Sequence, residues 1–146
     1  MIVPDANLLL YAYDAGSPFH TRAATWWADC LSGSERVALC SVVVFAFVRI
    51  GTSRRVFSNP MTISEAANHV RSWFERSTVD LLTIEGTDVI QALEWLEDLG
   101  SGANLTTDAQ IAAFARRHRA TVHTADTDFQ RFRGVQWINP IVEAGN

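Results

Sequence analysis

The 146-residue chain contains no lysine, so arginine supplies all twelve of its fixed cations, set against sixteen acidic residues for a formal net charge of -4. That balance excludes an overall basic field of the kind that draws proteins onto nucleic acid, and any attraction to RNA or DNA must be local. Arginine's planar fork can hold a phosphate through two parallel hydrogen bonds, although a GC-rich genome produces the same bias without any functional demand. No apolar run approaches the roughly 20 residues that span a bilayer as a helix. The opening Met-Ile-Val-Pro-Asp has no basic segment followed by an apolar stretch and a small-residue cleavage site, which argues for a cytoplasmic protein. Two cysteines are present. Cys30 and Cys40 are expected as buried thiols in such a compartment, and neither has a second cysteine or a histidine at zinc-ligand spacing.

Internal repeats, low-complexity tracts and Pro/Gly/Ser linkers are also missing, and 48% hydrophobic residues suffice for a sizeable core, so residues 1–146 read as one domain. Ile2 and Val3 suit a short buried strand that ends at Pro4 and Asp5 and breaks into a helical turn. Ser17-Pro18 signals a helix start, with Ala23, Trp26, Trp27 and Leu31 at helical spacing and Gly33 as its stop. Residues 37–40 are β-prone, and Ser41 can cap an apolar run over 42–50 that periodicity alone does not assign to helix or strand. Thr62 and Glu65 form a capping box before a further helix. Residues 79–84 read as a strand, Thr87 as a cap for a helix closed by Gly100, and Thr106-Thr107 as caps for a helix from Asp108 to His118. A strand at 121–124, a turn and short helix at 126–132 and a strand at 136–138 complete the alternation. The pattern predicts an α/β fold with a central parallel sheet of about four to five strands and helices on both faces, which places ligands beyond the carboxyl ends of the strands.

Three aspartates share that edge. Asp5 follows the first strand, Asp108 opens a helix after Leu105, and Asp126 follows the strand at 121–124. Converging carboxylates repel one another, and a divalent cation turns the cluster favourable. All-oxygen donors without a nearby histidine or cysteine set suit magnesium or manganese better than zinc. Such an ion acidifies a bound water and neutralises charge on phosphate oxygens, which is hydrolytic nuclease chemistry. Each aspartate also has an ordinary explanation. Asp108 is stabilised in a helix's first turn by the macrodipole, and Asp126 and Asp128 are natural turn residues. Asp5 is harder to account for so simply, because a carboxylate at an apolar strand end needs a partner.

Pro4-Asp5-Ala6-Asn7-Leu8-Leu9, Leu105-Thr106-Thr107-Asp108-Ala109 and Thr124-Ala125-Asp126-Thr127-Asp128-Phe129, in that order, resemble the PIN-domain VapC toxins of bacterial toxin–antitoxin systems. Asn139-Pro140 extends the likeness, and Val56-Phe57-Ser58-Asn59-Pro60 is similar to a stretch of a mycobacterial-type branch. The resemblance implies a PIN-like fold, a Mg2+-dependent endoribonuclease with Mn2+ as a substitute, a homodimer, and inhibition by a VapB-type antitoxin whose arginine-bearing tail enters the acidic site. By position it makes Asp5, Asp108 and Asp126 catalytic metal ligands, adds Asp128 to the metal-binding set at the edge of the cluster or just behind it, and has Asn7 and Thr124 orient water or ligands. Many members carry a glutamate on the helix after the second strand, where this sequence has Ala46. Arg49, Arg54 and Arg55, on or beyond that helix, are candidate RNA phosphate contacts. Arg116, Arg117 and Arg119 have the simpler explanation of cations at a helix C-terminus. The tryptophans fall at core-like spacing, and His20, His69, His118 and His123 share no arrangement that supports acid/base catalysis.

Two rival functions stand beside the nuclease. A haloacid-dehalogenase-like phosphatase also uses a strand-end aspartate with magnesium, but needs a second aspartate two residues on, where Asn7 stands. A catalytically impaired PIN-like module that binds RNA or a partner would follow from the missing glutamate.

Overall fold

The computed structural model describes residues 1–142. Five strands, β1 (Ile2–Pro4), β2 (Val37–Leu39), β3 (Val79–Leu81), β4 (Thr121–His123) and β5 (Gln136–Ile138), form one sheet in the order β3-β2-β1-β4-β5. Every pairing is parallel. The expected α/β architecture is therefore present, with five strands. Each strand is only three residues long, and the central three are apolar at nearly every position because helices cover both sheet faces. The sheet grows from β1 outward in one direction through β2 and β3, then resumes on the other side of β1 with β4 and β5. The reversal makes the gap between β1 and β4 the topological switch point, the place where open α/β sheets bind ligands.

Six helices connect the strands: α1 (Ala6–Tyr13), α2 (His20–Ser32), α3 (Ser41–Gly51), α4 (Ile63–Phe74), α5 (Gly86–Leu99) and α6 (Leu105–Arg117). The apolar run after Cys40 is helix α3. Val43, Val44, Ala46 and Phe47 are buried within it, so the run lacks the polar stripe from which a helical period is read. Thr62 and Glu65 form the expected capping box of α4. Gly33 ends α2, and Gly100 ends α5 in the left-handed conformation that glycine adopts without penalty.

Three helix starts differ from expectation. Helix α2 begins at His20 rather than beside Ser17, whose Oγ instead accepts a hydrogen bond from the Phe19 N–H in a local turn. Helix α5 begins at Gly86, before Thr87, and the Asp88 carboxylate accepts the Glu85 N–H. Helix α6 begins at Leu105, so Asp108 is the fourth residue of the helix instead of its opener.

Trp26, Trp27, Trp73 and Trp95 are buried, as their spacing predicts. Trp73 packs edge-on against Trp27 and Phe47 and donates from Nε1 to the Tyr13 hydroxyl, 2.7 Å away. Cys30 and Cys40 are free, buried thiols. Burial pushes the Cys30 thiol up to about 12, which makes it unreactive. One charged pair is set into the packing of α5 against α6. Arg117 donates from Nε and Nη2 to the two oxygens of Asp88 at 2.8 and 2.9 Å, and Asp88 is only 2% exposed. No helix among the described residues is long and apolar enough to cross a membrane.

Candidate metal centre

The switch point brings together chain segments that lie far apart in sequence. Asp5 ends β1 and caps α1, its Oδ1 accepting the Ala6 N–H at 2.7 Å. Its Oδ2 accepts the Thr124 hydroxyl at 2.8 Å, across a sequence separation of 119 residues. The parallel register that sets Pro4 beside His123 makes this contact possible, because both chains leave the sheet at the same edge. Asp5 is 6% exposed. Burial pushes its carboxyl above the ordinary range, the Thr124 and Ala6 hydrogen bonds oppose that rise, and the charge of Asp126 adds to it.

Thr124 is fully buried, and its hydroxyl is used to capacity. Besides donating to Asp5, the oxygen accepts the Asp126 N–H at 2.9 Å and the Asn7 Nδ2 at 3.3 Å. A hydroxyl has one donor and two acceptor sites, so no hydrogen-bonding capacity remains. Asn7 reaches back with Oδ1 to accept the Ala125 N–H at 3.4 Å. Asn7 and Thr124 thus fasten the end of β1 to the end of β4. The side-chain amide of Asn7 is spent on this link, and no general acid stands where the phosphatase alternative requires one.

Asp126 caps the 3-10 turn Thr127–Arg131, accepting the Asp128 N–H at 2.8 Å. That turn folds Asp128 back toward α6. Asp108, Asp126 and Asp128 each offer a carboxylate oxygen, and the three oxygens lie within 4.8 Å of one another. Asp128 therefore belongs to the closest group, while Asp5 lies beside it, buried and anchored. The resemblance counts Asp128 among the metal residues but at the edge of the cluster or just behind it. The 3-10 turn, which spacing alone does not specify, brings it in. Arg131 pairs with Asp128 at 3.5 Å on the exposed side.

The electrostatics fit a bound cation. Burial pushes the Asp108 carboxyl up to about 7, followed by the charges of Asp5 and Asp126, a hydrogen bond to Asp126 and the charge of Asp128. A group of acids that holds a proton near neutrality for want of positive charge suits a hard divalent ion, and its donors are all carboxylate oxygens.

Helix α3 contributes no acid to this group. Ala46 is buried beside Val42, Phe45, Val48, Arg49 and Thr107 around a groove of about 340 Å³ between α3 and α6. Arg49 is exposed at that groove. Arg54 and Arg55 are exposed in the loop past the C-terminal end of α3. Eleven helical residues extend about 16 Å, so this loop lies well away from the end of α3 that adjoins β2. The same loop closes over the far end of α1, with Phe57, Asn59 and Pro60 around Tyr13 and Asp14. Arg117 is engaged by Asp88. His123 accepts the Trp26 Nε1–H at 3.0 Å, a structural bond that agrees with a non-catalytic role.

Comparison with known proteins adds an independent line. The family model described as PIN domain matches residues 2–135. Ribonuclease VapC33 of Mycobacterium tuberculosis is 43% identical over 143 residues, covering 98% of this chain and all of that protein. Ribonuclease VapC37 of the same organism is 37% identical, covering 96% of this chain and 97% of its own. Among solved structures, M. tuberculosis VapC20, described as a sarcin-ricin loop cleaving toxin, superposes with a TM-score of 0.69 at 21% identity, covering 93% of this chain and 99% of that one. VapBC2 from Rickettsia felis, bound to a DNA fragment from its promoter, gives 0.65 at 17% identity, covering 94% and 98%. These two structural likenesses are of fold.

Proposed function

The chain belongs to the PIN-domain family, in its VapC group, and from that premise we propose a magnesium-dependent endoribonuclease, with manganese as a substitute, that acts as the toxin of a toxin–antitoxin pair. The observation that carries the reading is the meeting of Asp5, Asp108, Asp126 and Asp128 at the switch point. Asp108, Asp126 and Asp128 would hold the cation. Asp5 would take part from its buried position, each of its oxygens keeping lone-pair capacity beyond the single hydrogen bond it accepts. The cation supplies, when bound, a water of lowered pKa and neutralisation of charge on the phosphate oxygens.

The rest is done by the protein. Thr124 and Asn7 fix the direction of the Asp5 carboxylate and the backbone leading to Asp126, as groups behind metal ligands commonly do. Arg49, exposed at the groove between α3 and α6, would contact a phosphate, and Arg54 and Arg55 would meet a longer RNA at a distance. The reading extends to a single domain over 1–146, a homodimer, a cytoplasmic location, and a VapB-type antitoxin whose arginine tail occupies the acidic site.

The test is incubation of antitoxin-free protein with total RNA or transfer RNA in magnesium or manganese and then in chelator, beside Asp5→Ala. Cleavage confined to the metal-loaded wild type is expected. Cleavage that survives chelator or the substitution overturns the metal site. Ala46 favours one second reading, a module that binds RNA without cutting it, and retained binding with no cleavage in any metal would support it.

A further inference from the structure

Phe45 breaks the pattern of its own helix. Its neighbours Val43 and Phe47 are fully buried, yet Phe45 is 66% exposed. Its ring stacks on no other ring among the described residues. Arg49 lies one turn further along the same helix face. It is exposed and makes no ion pair or hydrogen bond among the described residues. Both line the groove between α3 and α6, whose opposite side includes Thr107, the residue directly before Asp108. The small side chain of Ala46 leaves that groove open.

Resting on the ribonuclease reading, we propose that this groove receives one unstacked base of single-stranded RNA beside the phosphate to be cut, with Phe45 as the stacking face and Arg49 as the contact to the adjoining phosphate. Thr107 on the groove's far side is followed by Asp108 of the carboxylate cluster, so a nucleotide held there would neighbour the reacting one. An exposed aromatic ring next to an uncommitted arginine is the pairing by which proteins hold single strands, the ring taking any base and the cation taking the backbone. The opposite charges of Arg49 and the RNA chain favour this occupant. A docked protein helix would instead need exposed apolar anchors spread over several turns, whereas among the groove's apolar residues only Phe45 is exposed, Val42 and Val48 being partly buried against the core.

Steady-state cleavage of single-stranded RNA by Phe45→Ala, Phe45→Tyr and Arg49→Gln tests the proposal, with Ile63→Ala as a control on an exposed apolar residue of α4. Binding of a fluorescein-labelled single-stranded oligoribonucleotide, followed by anisotropy in chelator, provides a readout independent of turnover. Phe45→Ala should raise KM and weaken binding about tenfold, the contribution of one stacked base, with kcat within about twofold. Phe45→Tyr should restore both, Arg49→Gln should weaken binding, and Ile63→Ala should change neither. If wild type cleaves RNA and Phe45→Ala has unchanged KM and binding, the groove proposal falls while the ribonuclease reading stands. If wild type binds the probe through Phe45 but cuts nothing, the ribonuclease reading falls and the nucleotide groove stands. Loss of affinity for a protein partner alone, with oligonucleotide binding intact, would also overturn the groove proposal.

Discussion

At the scale of single residues, the Thr124 hydroxyl bears more of the site than any one of its hydrogen bonds indicates. Replacing it with the near-isosteric valine removes the donor to Asp5 and the acceptor for the Asp126 N–H and Asn7 while leaving the volume unchanged. Thr124→Val should lower metal affinity or cleavage roughly 10- to 100-fold, as loss of a group behind a metal ligand does. It should also cost about 1–3 kcal/mol through the buried groups left without partners. Isothermal titration with manganese and urea unfolding measure the two effects, and Thr124→Ser should recover most of both.

Asp108 gives a second prediction at this scale. Its carboxyl ionises at about 7 in the folded, metal-free chain, against 3.8 ordinarily. The folded state thus binds this proton more tightly than the unfolded one. The stability this provides is fully present below about pH 4 and is lost as pH rises toward 7. In chelator, the urea midpoint should fall over that interval, and added magnesium should flatten the decline. An Asp108→Asn variant should show a weaker pH dependence in chelator. A midpoint that rises steadily through the same window would contradict this account.

At the scale of elements, α5 and α6 are joined by the Asp88–Arg117 pair. Burial alone raises the Asp88 carboxyl, but the Arg117 fork and the Glu85 N–H outweigh it and hold the group below the ordinary range. Its contribution is therefore present above the ordinary carboxylate pKa and lost as pH falls through the depressed value. Asp88→Asn should destabilise the fold at neutral pH by about 2 kcal/mol, the scale of hydrogen bonds to a charged group. The difference from wild type should shrink in acid, and thermal melts across pH would show it. Sequence did not disclose this pair, because the partners lie 29 positions apart and each has a sufficient local role as a helix-end residue. Asp5 and Asp126, by contrast, were readable at strand ends, since parallel strands put such positions on one edge, whereas Asp108 sits in the first turn of α6, which follows α5 with no strand between. Helix α3 remained ambiguous because burial on most sides erased its polar face. The inclusion of Asp128 depended on a short 3-10 turn, a geometry that residue spacing does not fix.

At the scale of the whole molecule, the net charge of -4 constrains how RNA is held. Without a basic field, binding rests on a few local cations. The logarithm of affinity for single strands should fall with the logarithm of salt by only about 0.7 per phosphate contacted. A slope corresponding to one to three contacts is expected for wild type, and Arg49→Gln should remove about one of them. Anisotropy titrations over a salt series decide this. A slope matching many contacts would reveal a basic surface that the arrangement of arginines does not suggest.

The sheet order has a further consequence for how the chain comes to be dangerous at all. Thr124 is synthesised 119 positions after its partner Asp5, and β4 must then insert beside β1. A nascent chain halted before Thr121 carries Asp5 and Asp108 but has no edge on which they meet. The site is thereby assembled only once nearly the whole described fold has emerged.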